Sequence, residues 1–240
     1  MKKIVVILSC FVVLTGICCF AGEPSRAAGR LCSYRITSRG LRVGELKTAI
    51  SPVSRPDGRA FRFESNLAIN ANLLFFKVAK SSHEQALVTE HGTLSYHRQG
   101  QENGSESSVD AHLEGGRFHF RISENGAARS FEVARGSYDF TTMDCPETTM
   151  KHEGETVELR ILDLEHAKVV TRKFHWVKSE EIEVGGRQLL CKVVDFSDPN
   201  NNCRRWVGFD ERGVIITRQE GKGKSGSYLL RMVALNDAPA

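Results

Sequence analysis

The 240-residue sequence predicts an all-β fold with a minor helical element, built as an antiparallel meander, sandwich or barrel. Three observations predict it. From Arg30 onward, apolar and polar residues alternate with a period of two, as at Tyr34 and Ile36 and again at Phe61 and Phe63, which is the pattern of a half-buried strand. Turn signals follow one another at short, even intervals: Arg39-Gly40, Pro56-Asp57-Gly58, His91-Gly92, Glu102-Asn103-Gly104, Glu124-Asn125-Gly126, Gly185-Gly186 and Glu211-Arg212-Gly213. The third observation is a hairpin that accounts for its own sequence, around Gly115-Gly116.

With those two glycines as a tight loop that tolerates positive φ, Leu113 faces Phe118, Ala111 faces Phe120 and Val109 faces Ile122. On the opposite face Glu114 meets Arg117, His112 meets His119 and Asp110 meets Arg121. One face is apolar and the other carries two opposite-charge pairs; a one-residue slip destroys both patterns. The preceding hairpin, turning at His91-Gly92, sets Leu87 opposite Tyr96, Thr89 opposite Leu94 and Gln85 opposite Arg98. Further on, Tyr138 to Glu147 has no clean period, and Pro146 suits the first position of a short helix. Strands are expected near Val157 to Leu162 and Lys168 to Val177, with a turn at Glu165-His166. A last hairpin runs through Val207-Gly208-Phe209 and returns as Val214 to Thr217, and a final strand spans Tyr228 to Leu235 behind the polar loop Gly221 to Gly226.

The N-terminus carries Lys2 and Lys3 before an apolar run from Ile4 to Phe20, followed by Ala21-Gly22. This is the layout of a secretory signal peptide. Cys19 and Ala21 are small enough for a signal peptidase, so the cut is expected after Ala21, with an uncleaved inner-membrane anchor as the alternative. Ile17 is bulky where a lipidated cysteine needs a small predecessor, which disfavours lipidation at Cys18. The expected organisation is a signal peptide over 1–21, a flexible mature N-terminus over 22–29, one antiparallel β domain over 30–236 and a tail over 237–240. The expected location is the periplasm. Loss of Lys2 and Lys3 takes the formal charge from +4 to +2, with no concentrated basic face of the kind a nucleic-acid partner requires.

Four cysteines remain in the mature chain: Cys32, Cys145, Cys191 and Cys203. An even count in an exported protein favours disulfides. Cys191 and Cys203 flank the turn-rich stretch Asp198 to Asn202, so Cys191–Cys203 is the preferred bridge, leaving Cys32 with Cys145.

Catalytic and metal signatures are weak. His112 and His119 are cross-strand neighbours, and His83 and His97 fall on adjacent strands, but both pairs read as solvated surface histidines, and neither a metal nor a cofactor is expected. No G-x-S-x-G or reactive-cysteine context occurs. Gly221-Lys222-Gly223-Lys224-Ser225-Gly226 lacks phosphate-loop spacing and precedes a strand. Leu73-Leu74-Phe75-Phe76 is a continuous apolar run, read either as core or as a segment facing an apolar ligand or partner. These four are the candidate ligand-binding residues. Trp176 and Trp206 are expected to anchor the core.

Tyr34, Gly40, Val43-Gly44, the Phe75-Phe76 run, His83-Glu84, Gly92-Thr93-Leu94 and Glu102-Asn103-Gly104 together resemble bacterial exported β-rich families known only as domains of unknown function. Asp163, Val184-Gly185-Gly186 and Trp206, Asp210 and Gly213-Val214 extend the resemblance over nearly the whole mature chain. It departs at Ala86-Leu87, where the pattern has an aromatic after His-Glu. The resemblance implies a long antiparallel sheet curled into an open or half-closed barrel, similar to periplasmic carriers of lipid or lipoprotein that shield an acyl chain in the concave face. It carries over no catalytic residue. Three readings follow: non-enzymatic binding of an apolar or lipid-like ligand, a protein–protein or structural envelope module, and a hydrolase with dispersed acid and base groups.

Overall fold

The computed structural model describes residues 29–56, 58–73, 76–199, 201–210, 213–223 and 226–237. The expected signal segment, most of the expected flexible N-terminus, Leu74, Phe75 and residues 238–240 lie outside the described residues. The chain opens with β1 (Arg30–Ser38), β2 (Leu41–Arg55), β3 (Gly58–Leu73) and β4 (Phe76–Thr89). Next come β5 (Gly92–Glu102), β6 (Ser105–Glu114), β7 (Arg117–Glu124) and β8 (Ala127–Ala134). A connection holding the two-residue β9 (Phe140–Thr141) leads to β10 (Thr156–Asp163), β11 (Lys168–Val184) and β12 (Arg187–Asp198). The chain ends with β13 (Asn201–Asp210), β14 (Gly213–Gly223) and β15 (Gly226–Asp237).

All these strands join one sheet in the order β8-β7-β6-β5-β4-β3-β2-β1-β15-β14-β13-β12-β11-β10-β9. Every pairing is antiparallel except β9 with β10. The first and last strands meet in the middle of the sheet, with Arg30 opposite Asp237 and Ile36 opposite Leu230. The chain therefore works outward from β1 to one edge at β8, crosses to the other edge at β9, and works back inward. Among the described residues the sheet does not close, and β8 and β9 are its two ends. Register shifts at Ser33/Tyr34, Ile36/Thr37, Leu87/Val88, Trp176/Lys178 and Trp206/Val207 mark bulges. Bulges bend strands and sharpen the right-handed twist, which curls a long sheet.

The hairpin at Gly115-Gly116 has the register read from its sequence, His112 opposite His119 included. Both glycines have positive φ, 55° and 74°, as a primed two-residue turn requires. The preceding hairpin differs by a slip. Its turn is Glu90-His91, and the bulge at Leu87/Val88 sets Ala86 opposite Tyr96, Leu87 opposite Ser95 and Gln85 opposite His97. Ala86 and Tyr96 thereby share the buried face. The expected loop Gly221–Gly226 is shorter than read, because β14 continues to Gly223, which opposes Gly226. The short helix after Pro146 is a 3-10 turn, Pro146–Thr149.

What fills the curl is the connection between the two edges. Tyr138 and Met143 pack with Phe63, Tyr96, Phe118 and Phe120 on the inner face of β3 to β7. Cys145 enters the cluster around Leu46, Val193, Trp206 and Ile215. Met150 joins Phe174, Trp176, Val194 and Phe196. One strap thus threads all three parts of the core. The β10–β11 turn follows it inward, placing Leu162, Leu164 and Ala167 beside Phe63 and Phe118. Burying a side chain of Leu or Met size contributes about 1.5–3 kcal/mol, so the strap and turn are integral to the fold. Trp176 and Trp206 are both buried, as the sequence predicts.

Candidate functional site

Polar groups hold the strap in place. Asp139 accepts from the Arg160 backbone N–H and its guanidinium, at 2.8 and 2.7 Å, and these bonds lower its pKa. Thr141 and Thr93 hydroxyls meet at 2.7 Å, tying strap to β5. Deeper in, Arg205 donates to Glu147 Oε1 at 2.9 Å and to Gln219 Oε1 at 2.9 Å, and Gln219 donates to the Tyr228 hydroxyl at 2.6 Å. Glu147 and Arg205 side chains are 0 % and 5 % exposed, so this is a fully desolvated ion pair.

A second buried charge cluster lies under β4 and β5. Lys80, Ser82 and Glu84 occupy alternate, inward positions of β4. Arg98 opposes Glu84 from β5, and Ser65 opposes it from β3. Glu165, at the β10–β11 turn, reaches in so that its Oε1 lies 3.1 Å from Arg98 Nη2 and 3.7 Å from Lys80 Nζ. Burial, and then the nearby Glu165 charge, push the Glu84 carboxyl up to about 8 against the pull of Arg98 and Lys80. Beside the cluster is a cavity of about 230 Å³ whose walls include Lys80, Arg98, Ser107, Val109, Ile122 and Glu165. His166, also on its wall, bonds Asp163 at 2.9 Å, and that bond raises the imidazole pKa.

The face opposite the core carries a larger, open groove of about 1010 Å³ at one end of the sheet. Its centre is a cross-strand row, His175, Asp195, Arg204, Glu220 and Leu229, each opposite the next. Arg204 engages Asp195 through two nitrogens at 2.6 and 2.8 Å, and Arg218 pairs with Glu220. Arg39, Lys173 and Lys222 complete the basic lining and Leu229 contributes apolar surface, while the Phe196 and Tyr228 side chains are buried in the core on the other face.

Of the candidate ligand-binding residues, Leu73 and Phe76 close the β3–β4 hairpin opposite each other, and Leu74 and Phe75 lie outside the described residues. The disulfide expectation is corrected. Among the described residues no disulfide joins Cys32, Cys145, Cys191 or Cys203, and all four are buried. Cys191 opposes Gly208 while Cys203 opposes Phe196. That offset of five positions along the strands is about 16 Å, against a Cα limit of about 7 Å for a bridge. Cys32 sits on β1 opposite Leu235 and Thr48, and Cys145 on the strap; they share a core cluster without a bond between them.

His112 and His119 stack at 5.2 Å between exposed charges. His83 and His97 take different partners, Asn66 and Asp110. The hydrolase reading asks for acids and histidines converging in one cleft. Asp163, Glu165 and His166 converge beneath β4 and β5, with Glu165 and His166 on the cavity wall and the Glu84 carboxyl 1 % exposed behind Arg98. The charge cluster and the groove were both missed from sequence. Charged residues at inward parity (Lys80 and Glu84 in step with Ala86 and Val88) are the signal that reveals the first.

No family model matches the chain, and no curated protein matches it. Among solved structures, it is similar to the crystal structure of a β-barrel-like protein of a domain of unknown function, DUF1849, from Brucella abortus. The TM-score is 0.59 at 12 % identity, covering 90 % of this chain and 100 % of that one. The likeness shows the fold: a β-rich, β-barrel-like architecture whose described residues form an open, mostly antiparallel fifteen-stranded sheet.

Proposed function

We propose that this is an exported, periplasmic binding protein without a catalytic role, which holds an anionic amphiphile in the open groove. The single observation that carries the reading is the composition of that groove. Asp195 and Glu220 are neutralised by Arg204 and Arg218, which leaves Arg39, Lys173 and Lys222 as surplus positive charge around a volume of about 1010 Å³. Leu229 offers apolar surface beside them. Cationic side chains take an anionic head by charge-assisted hydrogen bonds, and adjacent apolar surface takes the start of a chain at ~0.8 kcal/mol per buried CH₂. The concave face is a poorer host, because the strap and the β10–β11 turn already fill it.

Native mass spectrometry of the mature protein purified from periplasm, before and after mild organic extraction, tests the proposal. The expected result is an extractable anionic adduct that is lost from the Arg39→Ala, Lys173→Ala, Lys222→Ala triple variant, on a chain whose mass begins at Gly22. A bare mass in wild type sinks it.

One observation favours a second reading, an interaction module. Among the described residues β8 bonds only β7, and its eight residues are exposed or half-exposed. Such an edge accepts an added strand. A bare wild-type mass combined with co-purification of a partner, lost on Ser130→Pro, would select this reading.

A further inference from the structure

Across β2 to β7, the face turned away from the core carries a second open groove, of about 830 Å³. Its centre is a cross-strand row, Lys47, Asn66, His83, Gln99, Ser108 and Ser123, each opposite the next. A row beside it runs Glu45, Ala68, Ser81, Gln101 and Glu106. Their chain neighbours Leu67, Ser82, Arg98 and Val109 are buried, so strand alternation sends these side chains outward. Further along the sheet the outer face is ionic, with His97 on Asp110 and Glu132 beside Arg117 and His119. Inside the groove the composition changes. Lys47 lies 3.9 Å from Glu45, and the rest of the two rows is amide, hydroxyl, methyl, one imidazole and the single carboxylate of Glu106. The Ser81, Gln99, Gln101, Ser108 and Ser123 side chains make no hydrogen bond to any described residue, which leaves their donors and acceptors to a ligand.

We propose that this groove is a track for an uncharged, linear oligosaccharide laid across the strands. Amides and hydroxyls both donate and accept, as sugar hydroxyls do, and a nearly neutral lining offers no counter-charge to an ionic ligand. Neighbouring strands lie about 4.8 Å apart, so the six-residue row reaches about 24 Å. A linear glycan repeats its ring at about one strand spacing, so successive rings meet Asn66, His83, Gln99 and Ser108 in turn. No Phe, Tyr or Trp lies on the groove wall among the described residues, so a single ring has nothing to stack on. Each hydrogen bond replaces one to water and gains little; affinity therefore comes from the number of rings engaged on a rigid sheet. The groove shares no residue with the basic one, so the track stands whether or not the amphiphile reading does.

The test is isothermal titration of the mature full-length protein with cellobiose, cellohexaose and the chitin hexasaccharide, at low and at high salt. A hexasaccharide is expected to bind at least roughly tenfold more tightly than the disaccharide, with no loss at high salt, because no ion pair is formed. Gln99→Ala should weaken binding roughly fivefold, the factor one hydrogen bond is worth. Ser108→Lys, which raises a long side chain from the middle of the row, should abolish it while leaving the urea midpoint unchanged. The Arg39→Ala, Lys173→Ala, Lys222→Ala variant should bind as wild type does. Preference for the chitin hexasaccharide assigns an acetamido glycan, and equal binding an unsubstituted one; either supports the track. The proposal is overturned if neither hexasaccharide binds, if the disaccharide binds as tightly, or if high salt removes the affinity. Full binding by both Gln99→Ala and a folded Ser108→Lys overturns it too, as does loss of binding in the triple variant, which would place the ligand in the basic groove.

Discussion

Replacing Glu84 by glutamine makes the cost of the buried carboxyl measurable. In the fold this group is held at about 8, against 4.5 for an ordinary glutamate, chiefly by burial. Between those two values the unfolded chain has lost the proton and the folded chain keeps it. Its contribution to stability therefore declines as pH rises from about 4.5 to about 8, and is constant outside that window. At 1.36 kcal/mol per pKa unit, the gap reaches about 3 kcal/mol at pH 7 and about 5 kcal/mol above pH 8. Glutamine has the same shape and does not titrate. Glu84→Gln should match wild type near pH 4.5, exceed it by up to about 3 kcal/mol at pH 7, and show a flatter pH profile. Urea unfolding at pH 4.5, 6, 7 and 8 gives the comparison directly. A variant less stable than wild type at pH 7, or a gap that does not grow with pH, would mean that Glu84 is ionised in the fold and is needed by Arg98. The burial argument would then be wrong.

Three further outcomes are expected. Leu164→Ala, at a fully buried position of the inserted turn, should cost about 2–5 kcal/mol in urea unfolding; a cost near zero would show that the turn does not pack inside the curl. Glu147→Gln leaves Arg205 charged and buried, so unfolding at neutral pH should show a loss of roughly 3–5 kcal/mol, and an unchanged midpoint would contradict the buried pair. Burial raises the Cys32 and Cys191 thiol pKa values, so iodoacetamide at pH 8 should label these two only after unfolding; native labelling at the rate of a small-molecule thiol would refute their placement.

The parts of this fold legible in the sequence are those whose geometry is local. Between Val109 and Ile122 the turn glycines fix the register, and the register fixes both faces, so reading the pattern suffices. Between Gln85 and Arg98 the same reasoning slips, because the turn closes one residue earlier, at Glu90-His91, and the bulge at Leu87/Val88, a property of the twisted sheet, takes up only part of the offset. The cysteine pairing failed for a similar reason. Flanking a turn does not make two residues opposite, and the β12–β13 register separates Cys191 from Cys203 by five positions.

Alternation, turn spacing and one self-consistent hairpin determined an antiparallel β chain, because each depends on residues within a few positions of one another. The sequence also placed the turn at Glu165-His166 and the proline-led turn at Pro146. Only the tertiary structure decided that β1 would pair with β15, that the aperiodic stretch from Tyr138 to Met150 would fill the curl, and that Glu165 would come to rest between Lys80 and Arg98. Residues 80, 98 and 165 lie on three strands or turns brought together by the bending of a long sheet, and how far a sheet bends is set by the sum of its twist, its bulges and what is left to fill the inside.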